Sequence, residues 1–531
     1  MPSAVVCHDL SFAWPSGEIA IAGLDCAFPD TTTGLVGRNG VGKSTLLRLI
    51  AGDLSPSGGS VTRPERIGYL PQHLVLEGHR SVAEVLGIEP VLAALATIDA
   101  GHGTMRDFET VGDQWDLPER CTAMLGRFGF ADLDLLRPIG TLSGGEVILL
   151  ALAAQFLAEP EVLLLDEPTN NLDRQARSRL HAALASWRGQ AIVVSHDREL
   201  LDLVGYVGEM RAGDIRFFGG NFTAYTEALA VEQEAAARGV RTAESDLRRQ
   251  QRELVEARIK LDRRQRFARS QAGNVPKIVA GAKKRAAEVS AGKLRGGHQA
   301  DVAEARQRLE AAEDRVRDDE SIEVDLSRTS VPPGRDIVVT EDLVLRNGVA
   351  VSLHLRGPER VGLVGPNGCG KTTLIDTLRG RVEPRSGSVA LRVPYRLLPQ
   401  RLQLLEDGDS VLAAVSRLAP TADDNRLRAE LARFLLGADT IARPVGSLSG
   451  GERFRATLAA LLLSEPPPQL LILDEPTNNL DLDSVRQLTE ALAQYRGALL
   501  VASHDESFLA DLNLTCRVDL GARMGQQGRE G

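Results

Sequence analysis

The sequence predicts an α/β fold built twice, with an α-helical hairpin joining the two copies. Three observations carry that reading. GLVGRNGVGKSTLL, from Gly34 to Leu47, returns as GLVGPNGCGKTTLI, from Gly362 to Ile375, and further stretches return in the same order. Within each copy, leucine-rich and β-branched runs alternate with helical stretches, the pattern of a mostly parallel sheet covered by helices. Between the copies the composition changes to helix formers. The 531 residues then divide into 1–222, 223–330 and 331–531, in line with about 100–200 residues per domain.

The elements follow in order. In each copy a short apolar run leads into a glycine-rich loop, and a helix follows it. Next comes YLPQ at Tyr69 to Gln72, matched by LLPQ at Leu397 to Gln400. LSGGE begins at Leu142 and at Leu448 and opens a helix with a capping serine and two glycines at its start. VLLLDE and LLILDE read as buried parallel strands, and AIVVSHD and LLVASHD as the strands after them. The spacing is that of one duplicated unit. Lys43 to Lys371 and Gln72 to Gln400 are both 328 positions apart, while Glu167 to Glu475 and His196 to His504 are both 308 apart. The first copy carries 22 extra residues between its glutamine and its LSGGE, and two extra prolines in SEPPPQ of the second copy recover two positions. Between the copies, the run from Ala224 to Gly273 is helical, breaks around Gly273 to Pro276, and is answered by a second helical run from Ala300 to Glu320. That spacing predicts a helix–loop–helix with an antiparallel, coiled-coil-like seam.

Composition excludes several classes. With 43% apolar residues the chain holds ample material for ordinary cores, which rules out wholesale disorder and fibrous folds. Cys7, Cys26, Cys121, Cys369 and Cys516 are scattered singly, which excludes a disulfide scaffold or a Cys-only zinc site and suits a reducing compartment. The longest apolar run, Val147 to Ala158, is broken at Gln155 and falls short of the ~20 residues that span a bilayer. The N-terminal residues show no secretory pattern, so the expected setting is the cytoplasm, without membrane insertion.

The net charge of −10 argues at first against a nucleic-acid partner. Its distribution argues the other way. Between Arg248 and Arg295 there are 15 Lys and Arg against 4 Asp and Glu, a net +11, which leaves −21 for the rest of the chain. Arg263, Arg264, Arg266 and Arg269 crowd the expected tip, Lys277, Lys283, Lys284 and Arg285 lie on its far side, and Phe267 is the aromatic available there for stacking. Solvated coiled-coil faces mix signs, whereas a one-sign hairpin is the footprint of phosphate-backbone binding.

The motifs carry specific chemistry. GxxxxGK[ST] turns a strand into a helix so that backbone N–H groups wrap phosphate oxygens. That points to Gly37, Asn39, Gly40, Gly42 and Thr45 in one copy, and to Gly365, Asn367, Gly368, Gly370 and Thr373 in the other. Lys43 and Lys371 are placed to neutralise the β- and γ-phosphates of ATP, and Ser44 and Thr372 to ligate Mg²⁺. Asp166 and Asp474 end apolar strands where their carboxylates can hold the same ion. Glu167 and Glu475 follow, expected to point the other way on an extended backbone, and are the candidate general bases for an attacking water. His196 and His504 are placed to contact the γ-phosphate, and Gln72 and Gln400 to reach Mg²⁺ or the water. The glycines of Ser143 to Gly145 and Ser449 to Gly451 let backbone amides at a helix start approach an anion.

Taken together, these motifs resemble an ATP-binding cassette ATPase with two P-loop ATP-binding cassette domains, each complete with D-loop (Leu172-Asp173 and Leu480-Asp481) and histidine switch. The resemblance implies head-to-tail packing and two composite sites, each pairing one cassette's P-loop with the other's Ser-Gly-Gly, within a single chain acting as a monomer. Two fused cassettes with a helical linker resemble the ABC-F proteins. That resemblance implies a ribosome-bound translation factor or antibiotic-resistance protein whose linker reaches the P-site tRNA and rRNA. A DNA-associated ATPase and the ATP-binding subunit of a transporter are the alternatives. The family's adenine-stacking aromatic corresponds to Trp14 in the first cassette, while the second offers Leu345 or Arg346. After LSGGE the first cassette has Val147, Ile148 and Leu149 where the second has Arg453, Phe454 and Arg455, and both read TNNLD where ABC-F proteins more often carry His at the second Asn. These departures predict unequal sites.

Overall fold

The computed structural model describes residues 5–72, 74, 77–170, 172–271, 297, 300–313, 321–322, 324–400, 404–478 and 480–521. The chain divides into two compact units, one formed by Met1–Phe222 with Ser321–Gly531 and the other by Thr223–Glu320.

The first cassette opens with β1 (Val6–Ala13), β2 (Ile19–Ala27), β3 (Thr32–Val36), α1 (Lys43–Ala51), β4 (Gly58–Thr62) and β5 (Ile67–Leu70). Four helices follow, α2 (Val82–Leu86), α3 (Glu89–Asp99), α4 (Met105–Val111) and α5 (Leu117–Arg127), then α6 (Gly144–Leu157). It closes with β6 (Val162–Asp166), α7 (Arg174–Ala185), β7 (Gln190–Val194), α8 (Arg198–Leu201), β8 (Tyr206–Arg211) and β9 (Asp214–Gly219). The main sheet has the order β5-β6-β7-β3-β8-β9 and is parallel except for the β8–β9 pair, while β2-β1-β4 form a separate antiparallel sheet. Strands β6 and β7 are buried at every position, as a sheet covered on both faces requires. With β7 beside β3, the carboxyl ends of β3, β6 and β7 emerge together, where α/β sheets place their ligands.

The linking unit begins within α9 (Phe222–Gln271), 50 residues long and therefore about 75 Å from end to end. Helical residues 300–313 return beside it, and Arg308 bonds Asp246 at 3.3 Å. Arg263 is exposed. The side chains of Arg264, Arg266, Phe267 and Arg269 lie outside the description, as do residues Lys277, Lys283, Lys284 and Arg285 altogether.

The second cassette repeats the first. It runs through β10 (Asp336–Val344), β11 (Ala350–Val351), β12 (His354–Arg356), β13 (Arg360–Val364), α10 (Lys371–Leu378), β14 (Ser386–Leu391) and β15 (Tyr395–Leu398). Then come α11 (Val411–Leu418), α12 (Asp424–Arg433), α13 (Ala438–Ala442), α14 (Gly450–Leu462), β16 (Leu470–Asp474), α15 (Leu482–Gln494), β17 (Ala498–Ala502), α16 (Glu506–Asp511) and β18 (Cys516–Asp519). Its main sheet, β15-β16-β17-β13-β18, repeats the order β5-β6-β7-β3-β8 of the first, with no counterpart of β9 among the described residues. The surplus of the first cassette lies in the extra helix between β5 and α6. Residues 321–322 and 324–330, grouped with the linker from the sequence, pack on this cassette instead. Ile322, Val324 and Leu326 enter the core beside Phe434 and Leu488, and the Val324 N–H donates to Gln494 Oε1 at 2.8 Å. Their alternating apolar pattern is too short to distinguish from helix by period alone. Among the described residues no helix is long and apolar enough to cross a membrane.

Candidate functional site

The glycine-rich loops owe their shape to backbone conformations that side chains disfavour. Gly37 has φ 151° and Gly42 φ 108°. A Cβ on Gly37 would lie 2.5 Å from the Met210 carbonyl oxygen, and one on Gly42 2.9 Å from that of Ala20, so both positions require glycine. Gly365, Gly368 and Gly370 repeat the positive φ values of Gly37, Gly40 and Gly42. Each loop ends on the first turn of α1 or α10, leaving the early N–H groups of a helix without partners inside it. Lys43 Nζ folds back and donates to Gly37 O at 2.6 Å and Arg38 O at 3.1 Å. Lys371 Nζ donates to Gly365 O at 2.8 Å and to His504 Nε2 at 2.5 Å. Burial pushes the Lys43 pKa down, against the carboxylates around it.

The strand ends bring the acids to these loops. Ser44 Oγ donates to Asp166 Oδ1 at 3.0 Å, and Thr372 Oγ1 to Asp474 Oδ2 at 3.1 Å. A hydroxyl beside a buried carboxylate is a hard oxygen donor set of the kind Mg²⁺ takes. Gln72 lines the same cavity of about 400 Å³ as Lys43, Ser44, Thr45, Glu167 and His196. Gln400 is exposed just past β15.

Glu167 and Glu475 correct one expectation. Their backbones are left-handed rather than extended, with φ 50° and 47°. The cause is local: each N–H continues the strand ladder, Glu167 to Val194 O at 2.9 Å and Glu475 to Ala502 O at 2.8 Å, while the chain turns immediately afterwards. The turn sets Glu167 Oε1 3.0 Å from His196 Nε2, and Glu475 Oε1 3.4 Å from His504 Nε2. Burial raises the Glu167 pKa to about 8 and that of Glu475 to about 7, in each case against the pull of the P-loop lysine. Burial and the same lysines lower His196 to about 3 and His504 to about 4, so both rings are neutral near pH 7. Close as they are, Glu167 Oε1 and His196 Nε2 are not aligned for a hydrogen bond, and they, His196 Nδ1 and Glu475 Oε1, which has Lys371 Nζ at 3.6 Å, are buried without a hydrogen-bond partner. Polar atoms of that kind are costly unless a ligand completes them, and a polyphosphate with Mg²⁺ fits the requirement.

Trp14 also lines the first cavity, held edge-on by Phe12 with ring centroids 5.0 Å apart. In the second cassette Leu345 is fully buried in the core and cannot meet a base, leaving Arg346 exposed at that position.

Ser143 and Ser449 are exposed and form capping boxes on α6 and α14 with Glu146 and Glu452. Neither serine, nor Gly144, Gly145, Gly450 or Gly451, makes a hydrogen bond or ion pair to the opposite cassette among the described residues. The cassettes meet through the D-loops instead. Asp481 caps α15 with Oδ1, accepting from Ser484 N at 2.9 Å, and with Oδ2 accepts the Asn39 N–H of the first P-loop at 2.7 Å. Asp173 likewise caps α7 through Ala176 N at 2.9 Å and accepts the Asn367 N–H at 3.3 Å. Val147 and Ile148 line a second cavity of about 530 Å³ with Gln72, Asp166 and Glu167, whereas Arg453 in the second cassette pairs with Asp407 at 2.6 Å. Arg38, Arg174, Asp483 and Glu506, which flank the motifs and join the cassettes, escaped the sequence reading; comparing the copies for positions that fail to repeat is the signal that finds them.

The ABC transporter family profile matches residues 26–170 and 349–478. The tylosin resistance ATP-binding protein TlrC of Streptomyces fradiae is 34% identical over 522 residues, covering 90% of this chain and 90% of its own. The putative ATP-binding protein YdiF of Bacillus subtilis (strain 168) is 32% identical over 513 residues, covering 90% of this chain and 73% of its own. Among solved structures, an RNase-L inhibitor superposes with a TM-score of 0.54 at 20% identity, over 96% of this chain and 87% of that one, a likeness of fold.

Proposed function

The chain belongs to the ATP-binding cassette family, in its ABC-F branch, and from that premise we propose that this ATPase works on the ribosome in the cytoplasm, ATP binding closing its cassettes and hydrolysis resetting them. The observation that carries the reading is the linking unit, whose central stretch holds 15 basic residues against 4 acidic ones in an otherwise acidic chain. Such a stretch is matched to rRNA and tRNA phosphates. The 34% identity to a tylosin resistance protein favours antibiotic protection over a housekeeping role in translation.

In this reading, the N–H groups of the Gly37–Thr45 and Gly365–Thr373 loops cradle the phosphates of ATP, with Lys43 and Lys371 neutralising them. Trp14 stacks on the base in the first site, while the second holds its nucleotide mainly through phosphate. Ser44, Gln72 and Asp166, and in turn Thr372, Gln400 and Asp474, hold Mg²⁺, which when bound supplies charge that offsets the phosphates. In their ionised form Glu167 and Glu475 accept the proton of the attacking water, and neutral His196 and His504 contact the γ-phosphate. On closure, Ser143–Gly145 and Ser449–Gly451 come to the opposite nucleotide and exclude water around it.

The test is a chain carrying both Glu167→Gln and Glu475→Gln. With ATP it is expected to sediment with ribosomes at low salt, and competition with branched DNA leaves it there. If it stays in the ribosome-free fraction, or DNA displaces it, the ribosome is not the partner.

A further inference from the structure

Two kinds of contact join the cassettes, and they differ in symmetry. The D-loop contacts repeat: Asp481 holds the Asn39 N–H and Asp173 holds that of Asn367. The ion pairs do not. Three cross between the cassettes among the described residues: Arg38 to Asp483 at 3.1 Å, Arg174 to Glu506 at 3.3 Å, and Arg198 to Asp511 at 2.9 Å. In each, the first cassette supplies the cation and the second the anion.

At the duplicated positions the pairs cannot form. Arg38 corresponds to Pro366 and Asp483 to Gln175, Arg174 corresponds to Leu482, Asp511 to Leu203, and Arg198 to Glu506, a residue of opposite sign. A more enclosed cation follows the same rule. Arg177 Nε donates to Leu172 O at 3.3 Å and its guanidinium lies 3.6 Å from Asp197, while its charge also acts on Asp505 and Glu475 of the second cassette. Its counterpart is Val485, buried in the second core.

We propose that these charges form a pairing code, in which a basic edge of the first cassette (Arg38, Arg174, Arg198) recognises the acidic edge of a second cassette (Asp483, Glu506, Asp511), so that closure joins unlike cassettes and rejects like ones. The D-loop contacts are available to any two cassettes, because both copies carry the aspartate and the asparagine. The charges are what distinguish the partners. Two first cassettes would set Arg174 against Arg198 and leave Arg38 and Arg198 facing Gln175 and Leu203, two second cassettes would set Glu506 against Asp511 and leave Asp483 and Glu506 facing Pro366 and Leu482, and like-charge juxtaposition is how interfaces reject wrong partners. Exposed pairs add little to stability and are screened by salt, so the code acts on the choice of partner and the ease of closing. This inference rests on the reading that ATP binding closes the cassettes.

The test is a double-mutant cycle in the full-length chain: R198D, D511R, and both together. Arg198 opens α8 and Asp511 ends α16, so each exchange also suits its helix dipole and the fold should tolerate it. Each single change is expected to raise the half-saturating ATP concentration for hydrolysis by about three- to tenfold, and the double to return it to within about twofold of wild type. A double variant as impaired as the product of the two singles overturns the code. Closure is read separately, as an ATP-dependent approach of dyes attached at Met105 and Asp424, with Cys516→Ser to prevent stray labelling. No approach in the otherwise native chain overturns the closure reading itself, whereas approach without rescue in the cycle overturns the code alone.

Discussion

At the scale of single residues, the two candidate bases are held in a conformation that costs stability. A non-glycine residue in the left-handed region carries about 1–3 kcal/mol of strain, and Glu167 and Glu475 both sit there, at φ 50° and 47°. Each also buries a carboxyl oxygen with no hydrogen bond. Glycine at either position would release the strain and remove the buried acid. Glu167→Gly is therefore expected to leave the first cassette as stable or more stable by about 1 kcal/mol, read by denaturant unfolding, while ATP hydrolysis at that site falls by a factor of about 10² or more. A variant that loses stability would show that the carboxylate holds the loop together rather than waiting for a ligand. The identity of these residues was legible in the sequence, because acids, lysines and glycines recur at fixed offsets and their chemistry needs those types. Their backbone was not, since a strand ending in DE gives no sign that the ladder runs on to the glutamate N–H and that the chain turns there.

At the scale of elements, parallel strands and their motifs could be read because β6, β7, β16 and β17 are buried at every position and apolar except at Asp166, Gln190 and Asp474 on their ends. What could not be read was where the linker stops. Residues Ile322, Val324 and Leu326 alternate like a strand yet form none; α15 satisfies their backbone with side chains instead. Gln494 accepts from Val324 N at 2.8 Å and donates to Ile322 O at 2.6 Å. One amide thus replaces a strand partner, and no pattern of period two or 3.6 announces that. Gln494→Ala should leave both backbone groups without partners at a local cost of about 1–3 kcal/mol. The Val324 amide would then exchange with solvent about 10- to 100-fold faster in hydrogen-exchange mass spectrometry, with the α14 amides unchanged. An unchanged Val324 would mean that packing of its side chain, not the glutamine, fixes the segment.

At the scale of the whole molecule, charge is divided rather than averaged. The net −10 combines +11 between Arg248 and Arg295 with −21 elsewhere, and the acidic share is not uniform either, since the first cassette meets the second with arginines. The linker charge was legible because it is contiguous. The cassette code was not, because its partners stand more than 300 positions apart and fail to repeat. The two charge sets should separate in experiment. Each phosphate contact contributes about −0.7 to −0.9 to the slope of log affinity against log salt. Replacing Lys277, Lys283, Lys284 and Arg285 by Gln together should therefore flatten the slope for ribosome or RNA binding by about 3 and weaken binding evenly across RNA sequences. ATP turnover without ribosomes should not move, since none of the four belongs to the P-loops, strand ends or D-loops. The exposed pair Arg426 and Arg428 on α12 serves as control, and its replacement by Gln should leave the slope where it was. If both sets flatten the slope equally, binding follows overall charge and the linker holds no privileged contact; if only the first does, the acidic average hides the one surface made for nucleic acid.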